Sequence, residues 1–136
     1  MRRRTFLAGA TGVSVGLLAG CLGGSSPSDF DVGMSANAFE PREFEVSVGG
    51  TVVWANNGSR SHSVTAYESG IPADAEYFAS GDFDSESAAR DGYWDGEGVI
   101  DAGEQYEHTF EVPGDYEYFC VPHEGGGMVG TIVVRE

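Results

Sequence analysis

The stretch YEYFCVPHEGGGMVGTIVV, residues 116–134, contains two strand-like runs joined by a short glycine-rich loop. In the first run alternate side chains share a face that ends in Cys120, while Glu117 lies on the opposite face and points to solvent. In the second run alternate side chains share a face that begins at Met128. Both faces are expected to point into a core, so Cys120 and Met128 meet at one end of it. The residues predicted to point inward are Tyr116, Tyr118, Cys120, Met128, Ile132 and Val134.

Short segments with the same alternation continue upstream, separated by glycine, asparagine and proline. They are EFEVSV (43–48), TVVWAN (51–56), HSVTA (62–66) and YEHTFEV (106–112). About seven to nine short strands with turn residues between them predict an all-β fold, a Greek-key sandwich or barrel. The one helical pattern, DSESAARDG (84–92), lies in a polar insert at 67–98.

The N-terminus has the features of an export signal rather than of a folded domain. MRRRTFLAGATGVSVGLLAGC (1–21) opens with three arginines and continues as an apolar stretch too short to span a bilayer. Arg3 and Arg4 resemble a twin-arginine signal, and LAGC (18–21) resembles a lipobox, in which Cys21 is lipidated after cleavage. The alternative is a plain cleaved signal with a chance cysteine. The glycine- and serine-rich segment that follows predicts a flexible tether.

The chain is therefore divided into a signal peptide (1–20), a tether (21–29) and one domain (30–136). This division predicts an exported protein that is lipid-anchored to the outer face of the cell membrane.

The charge of the exported part is strongly negative. Three of the seven basic residues lie in the leader, which leaves four against 22 Asp and Glu, a net charge of −18 with no lysine. This balance excludes a nucleic-acid partner, which requires a basic surface. Because the acidic residues are scattered rather than clustered, adaptation to a salty medium is favoured over a docking surface for a basic partner.

The loop CVPHEGGGM (120–128) places three metal-donor side chains close together, with the spacing C-x2-H-x4-M. Cys120 and Met128 offer soft sulfur and His123 a borderline nitrogen. Two histidines and one cysteine in a trigonal set, with a weak axial methionine, are typical of blue-copper electron-transfer sites. Pro122 favours the turn that aims His123 at the ion, and three glycines let the backbone approach it.

The second nitrogen has two candidates. His62 opens HSVTA directly after a turn, where a ligand at the end of a barrel is expected, whereas His108 lies mid-strand and is interpreted as a packed or half-exposed strand histidine. His62 is therefore the predicted ligand. The alternative role for Cys120 is a disulfide with Cys21 that staples the tether to the domain.

These motifs resemble the cupredoxins, specifically the plastocyanins and the halocyanins of halophilic archaea. The resemblance is carried by AFEPREFEV (38–46), NNGSRSHSV (56–64) and the stretch 116–134, and it covers the chain from residue 31 onward. It implies a β-sandwich with one type 1 copper. The leader, the tether and the acidic composition fit the halocyanin branch. The ligands implied are His62, Cys120, His123 and Met128.

Two positions depart from the plastocyanin pattern. Phe119 stands where plastocyanins usually have a tyrosine that serves a second, remote docking area, so the resemblance does not imply that area here. Ser63 stands where an asparagine usually follows the upstream histidine and steadies the thiolate. The hypothesis is that the Ser63 hydroxyl donates a similar hydrogen bond.

The function predicted is that of a mobile one-electron carrier, a monomer whose copper cycles between Cu(I) and Cu(II). It is expected to shuttle electrons between membrane-bound redox proteins that dock near His123. An enzyme is disfavoured, because the catalytic copper of cupredoxin-containing oxidases and reductases needs further histidines and the chain has three in total. The alternative is an extracytoplasmic copper-delivery protein, although such carriers favour open, methionine-rich sites.

Overall fold

The computed structural model describes residues 29–136, which form eight strands and one short α-helix. Two 3-10 turns, Glu68–Gly70 and Val121–Gly126, complete the regular structure. The strands are β1 Val32–Met34, β2 Phe39–Glu40, β3 Glu43–Ser47, β4 Thr51–Asn56, β5 Thr65–Ala66, β6 Gln105–Thr109, β7 Gly114–Phe119 and β8 Val129–Arg135, and the helix α1 is Glu86–Trp94.

The strands form two four-stranded sheets, in the orders β2-β1-β4-β6 and β3-β8-β7-β5. β1 pairs with β4 and β3 with β8 in parallel, and the other pairs are antiparallel. The core between the sheets centres on the buried Trp54 of β4, whose ring lies 5.5 Å from that of Tyr118 on β7. The predicted all-β sandwich with one short helix in an insert is confirmed.

The alternation of β7 and β8 follows the prediction and sets the position of the loop between them. All six residues predicted to point inward are buried, and Glu117 is exposed. In the register of this hairpin Phe119 lies opposite Val129. One step further, the Cys120 N–H donates to the Met128 carbonyl at 3.1 Å, so the two residues are neighbours at the end of the core.

Several predicted elements have different bounds in the structure. β6 ends at Thr109, three residues before the end predicted for YEHTFEV, and β3 ends at Ser47, one residue before the end predicted for EFEVSV. The strand predicted at HSVTA is confined to Thr65–Ala66, because His62 makes only a single bridge, to Ile100. The helix predicted at 84–92 is Glu86–Trp94, since the Ser85 hydroxyl accepts a hydrogen bond from the Ala88 N–H and caps the helix at that point.

The predicted signal peptide (1–20), the lipidation site Cys21 and most of the tether (21–29) lie outside the described residues, so these stay predictions. Between residues 29 and 136 no helix has the length and apolar character needed to cross a bilayer.

Candidate metal centre

Three of the four predicted ligands converge at one end of the sandwich. The Cys120 Sγ lies 3.5 Å from the His62 Nδ1 and 3.4 Å from the His123 Nδ1, and the two Nδ1 atoms are 3.2 Å apart. His62 and Cys120 are buried, and His123 is half-buried. Within residues 29–136 this is the one group of three or more His, Cys, Asp or Glu side chains close enough to hold a metal ion.

Met128, the fourth predicted ligand, is fully buried in the hydrophobic core that also includes Cys120. Its carbonyl accepts from the Cys120 N–H, and its own N–H donates to the His123 carbonyl at 3.2 Å. The backbone of Met128 is therefore bonded to two of the other predicted ligands. Gly127, just before it, has a φ of 94°, a left-handed conformation that favours glycine.

His62 is held at the site by its bridge and by the side chain of Asn56. Two backbone hydrogen bonds join His62 to Ile100, at 3.0 and 2.8 Å. The buried Asn56 amide donates to the carbonyls of Arg60 and Ile100, at 2.6 and 2.8 Å. It thereby fixes both the turn before His62 and the segment that pairs with it. Asn56 was not singled out from the sequence, where it ends a strand like any turn residue.

Burial sets the protonation of the three donors. It lowers the pKa of His62 to about 4, with a further contribution from His123, and it lowers the pKa of His123 as well. Both imidazoles are therefore neutral at pH 7 and offer a lone pair. Burial raises the pKa of the Cys120 thiol to about 11, opposed by hydrogen bonds from Ser63 and His123. This thiol must release its proton when it binds a metal ion.

The structure adds a backbone contact to the side-chain hydrogen bond of the hypothesis. The Ser63 backbone N–H points at the Cys120 Sγ, at 3.4 Å, and hydrogen bonds from both the backbone and the side chain of Ser63 oppose the rise in the pKa of the thiol. The hydroxyl oxygen accepts from the Val121 N–H at 2.9 Å and shares a hydrogen bond with the Thr65 hydroxyl at 3.0 Å. Ser63 thus ties the segment that follows His62 to the residue that follows Cys120.

His108 is not part of the cluster. It is half-buried on β6, and its ring stacks on Phe78 with centroids 4.8 Å apart and an interplanar angle of 18°. The interpretation of His108 as a packed strand histidine agrees with this position.

Sequence reasoning missed Glu124 of the loop and the two side chains that contact it, Arg90 and Tyr67. The Glu124 carboxylate, next to His123, binds the Arg90 guanidinium of α1 at 2.8 Å and the Tyr67 hydroxyl at 2.6 Å. Arg90 holds the pKa of Glu124 below its ordinary value. The sequence offered only a weak indication of the role of Arg90, namely its i,i+4 spacing from Glu86, because such pairs are common on exposed helices.

The donor set fits a copper ion. One thiol and two neutral imidazole nitrogens suit copper, and a methionine adjoins them. Metal–nitrogen bonds of about 2.0–2.1 Å, as in zinc sites, allow one ion to bind two nitrogens that lie 3.2 Å apart. The Nδ1 atoms face the cluster, whereas the buried His62 Nε2 makes no hydrogen bond among the described residues. The residues present therefore match the chemistry of a type 1 site.

Sequence similarity to known copper proteins supports the same interpretation of this site. The family model for copper binding proteins of the plastocyanin/azurin family matches residues 28–135. The plastocyanin of Scenedesmus fuscus is 34% identical over 100 residues, which cover 74% of this chain and 89% of that protein. The chloroplastic plastocyanin of Hordeum vulgare is 33% identical over 132 residues, or 93% and 76% of the two chains.

A solved structure of a reduced amicyanin variant superimposes with a TM-score of 0.55 at 25% identity, covering 76% of this chain and 79% of that one. The predicted cupredoxin fold and copper cofactor are confirmed by these matches. The chain belongs to the plastocyanin/azurin family of copper-binding proteins, and it is a cupredoxin electron carrier rather than an enzyme.

Proposed function

We propose that His62, Cys120, His123 and Met128 bind one type 1 copper ion, which supplies a one-electron couple between Cu(I) and Cu(II). The observation that carries the proposal is the convergence of one sulfur and two nitrogens within 3.5 Å of one another. The backbone of Met128 is hydrogen-bonded to the backbones of Cys120 and His123. Family membership gives the cofactor, and this convergence supports the assignment of the ligands.

The protein holds the predicted ligands in fixed positions and shields three of them from water. Cys120 directly follows β7 and Met128 directly precedes β8 of the same sheet, while two backbone hydrogen bonds join His62 to Ile100. These three predicted ligands are fully buried, which excludes water from this side of the site. A site of this kind changes little when an electron arrives or leaves, which suits electron transfer.

The alternative, copper delivery, predicts a different behaviour in one experiment. The copper-loaded protein is cycled repeatedly between oxidised and reduced states in the presence of a Cu(I) chelator, and the bound copper is measured. An electron carrier retains its copper over many cycles. Quantitative transfer to the chelator in the reduced state would support delivery and contradict the proposal.

We further propose that redox partners dock at the surface beside His123 and that the protein acts there as a monomer. His123 is the partly exposed donor of the cluster, and the exposed Gly125–Gly127 that follow carry no side chains to cover it. Trp94, 68% exposed, lies one helical turn beyond Arg90, which contacts Glu124 next to His123. Exposed tryptophan side chains are among the residues that contribute most to the binding energy of interfaces.

We propose, finally, that the domain is an exported lipoprotein of the halocyanin type, held at the outer face of the cell membrane by Cys21. The support is in the sequence: the arginine pair, the lipobox-like LAGC and the tether. The Cys21→Ser variant should move from the membrane fraction to the soluble fraction with an unchanged spectrum. A variant that still partitions into membranes would contradict lipidation at Cys21.

A further inference from the structure

The insert (67–98) contacts the loop that carries His123 at one side chain of the loop, Glu124. The Glu124 carboxylate accepts three hydrogen bonds. The Arg90 Nη1 donates to Oε1 at 2.8 Å, the Arg90 Nη2 donates to Oε2 at 3.2 Å, and the Tyr67 hydroxyl donates to Oε2 at 2.6 Å. A bidentate arginine fixes the orientation of a carboxylate as well as its position.

Arg90 also contacts the segment that carries Cys120. Its guanidinium lies 4.2 Å from the ring centroid of Phe119, the residue just before Cys120. The Tyr67 ring packs against Phe119 as well, at 4.4 Å between centroids. Arg90 and Tyr67 therefore both contact Phe119, which precedes Cys120, and Glu124, which follows His123.

Arg90 is held in place by the helix. Its Nε donates to the Glu86 carboxylate, one turn earlier, at 2.9 Å. The N–H groups of Glu68 and Glu86 each donate to the other residue's carboxylate, at 3.0 and 3.1 Å, which attaches the start of α1 to the turn after β5. Ala89, Gly92 and Tyr93 of α1 are buried, which packs the helix against the rest of the domain. The helix is thus a fixed base for the guanidinium.

The loop itself has little other side-chain support. Gly125, Gly126 and Gly127 face open space, since a Cβ placed on any of them would meet no atom within 4 Å. Beyond the Glu124 contacts, the loop is held by the hydrogen bond from the Val121 N–H to the Ser63 hydroxyl and by backbone hydrogen bonds among Cys120, His123, Glu124, Gly127 and Met128.

We propose that Arg90, together with Tyr67, is a positioning residue that braces the copper-binding loop through Glu124 and keeps His123 in one orientation. The inference deepens the proposed function, because it rests on His123 as a copper ligand. It gives the 67–98 insert a role: through Arg90 and Tyr67, the insert supports the loop that carries the partly exposed His123.

The first test uses the metal-free protein and hydrogen exchange of the backbone amides. Arg90→Gln and Glu124→Gln should each accelerate exchange in residues 121–128 by about 3- to 10-fold. Arg135→Gln is the matched control, since it breaks a surface ion pair of 2.8 Å with Glu45 elsewhere in the molecule. Unchanged exchange in the loop, or an equal acceleration throughout the core, would overturn the brace.

The double variant shows whether Arg90 acts through Glu124. If it does, Arg90→Gln/Glu124→Gln should accelerate loop exchange no more than the more affected single variant, because both substitutions remove the Arg90–Glu124 interaction. Independent roles would multiply the two factors and contradict the proposal. Arg90→Lys, which keeps the charge but not the bidentate geometry, should fall between wild type and Arg90→Gln.

The copper-loaded protein gives the second readout. Arg90→Gln should keep one copper per chain and its blue colour, but shift the electron paramagnetic resonance parameters and slow electron self-exchange, whereas Arg135→Gln should match wild type in both. Arg90→Gln values identical to wild type would overturn the proposal. If the wild-type protein bound no copper, the proposed function would fail, while amide exchange in the metal-free chain would still test the brace.

Discussion

At the scale of single residues, the sequence was sufficient to select the side chains that meet at the site. The spacing of Cys120, His123 and Met128 follows from two strands and a loop, and His62 was preferred over His108 because it follows a turn. The structure brings His62 to Cys120 and stacks His108 on Phe78 instead. The backbone contact of Ser63 could not be predicted, because only the folded backbone shows that its N–H faces the sulfur.

Met128 should tune the site rather than create it. In type 1 sites the methionine is a weak ligand, so Met128→Leu should retain copper and colour while the reduction potential rises, because a donor to Cu(II) would be lost. The side chain is fully buried, and leucine conserves its volume, so the fold should be kept at a cost of less than about 1.5 kcal/mol. Voltammetry measures the shift. Loss of copper from this variant would contradict the axial assignment.

Arg60 should raise the reduction potential through its charge. Burial is the main cause that lowers the pKa of His123, and the charge of Arg60 lowers it further. Arg60 also lowers the pKa of His62, where it is the smallest of the causes. A positive charge that disfavours imidazolium also disfavours Cu(II) relative to Cu(I). Arg60→Gln should therefore lower the potential by less than about 59 mV, one tenfold step for a single electron, and less at high salt. Arg42→Gln, an exposed arginine with no such effect on either histidine, is the control; equal shifts in both variants would contradict a local effect.

At the scale of elements, alternation predicted the strands well and the insert poorly. Period-2 patterning in 116–134 was sufficient to orient β7 and β8, because one face is buried and the other is wet. In the insert, the sequence predicted one short helix but not the contacts that the helix makes. The packing of the insert depends on Arg90 reaching Glu124, 34 residues away, and on Tyr67 covering Phe119, contacts between residues distant in sequence that no local pattern encodes.

Close packing of β7 on β8 should make Gly130 intolerant of a side chain. Gly130 lies opposite Tyr118, and a Cβ added there would stand 2.6 Å from the tyrosine ring. Gly130→Ala should lower the free energy of unfolding by about 1–3 kcal/mol, measured by urea denaturation of the metal-free protein. The matched control is Gly126→Ala in the open loop, which meets nothing. Equal stability of the two variants would contradict the predicted clash.

At the scale of the whole molecule, the net charge of −18 on the predicted exported part repels two approaching copies, whereas the docking surface requires them to meet. If the protein works in a salty medium, as its composition predicts, the Debye length is about 3 Å at 1 M salt and charge steering is almost fully screened. Docking then depends on the apolar surface beside His123.

Gly126→Glu should therefore slow electron self-exchange at high salt with an unchanged blue spectrum, since it adds a charge to this surface without a clash. Gly126→Ser should behave like wild type. Glu107→Lys, an exposed charge reversal on β6, should have little effect at high salt. A larger effect of Glu107→Lys than of Gly126→Glu would replace apolar docking with an electrostatic model.

The most direct test of the assigned copper site is the visible spectrum of the Cu(II)-loaded protein and three variants. Wild type should be intensely blue through charge transfer from the Cys120 thiolate. Cys120→Ser and His62→Gln should lose the band, while His108→Gln, whose ring packs on Phe78 outside the cluster, should keep it in full. A colourless wild-type protein, or bleaching by His108→Gln with the band intact in His62→Gln, would contradict the assignment.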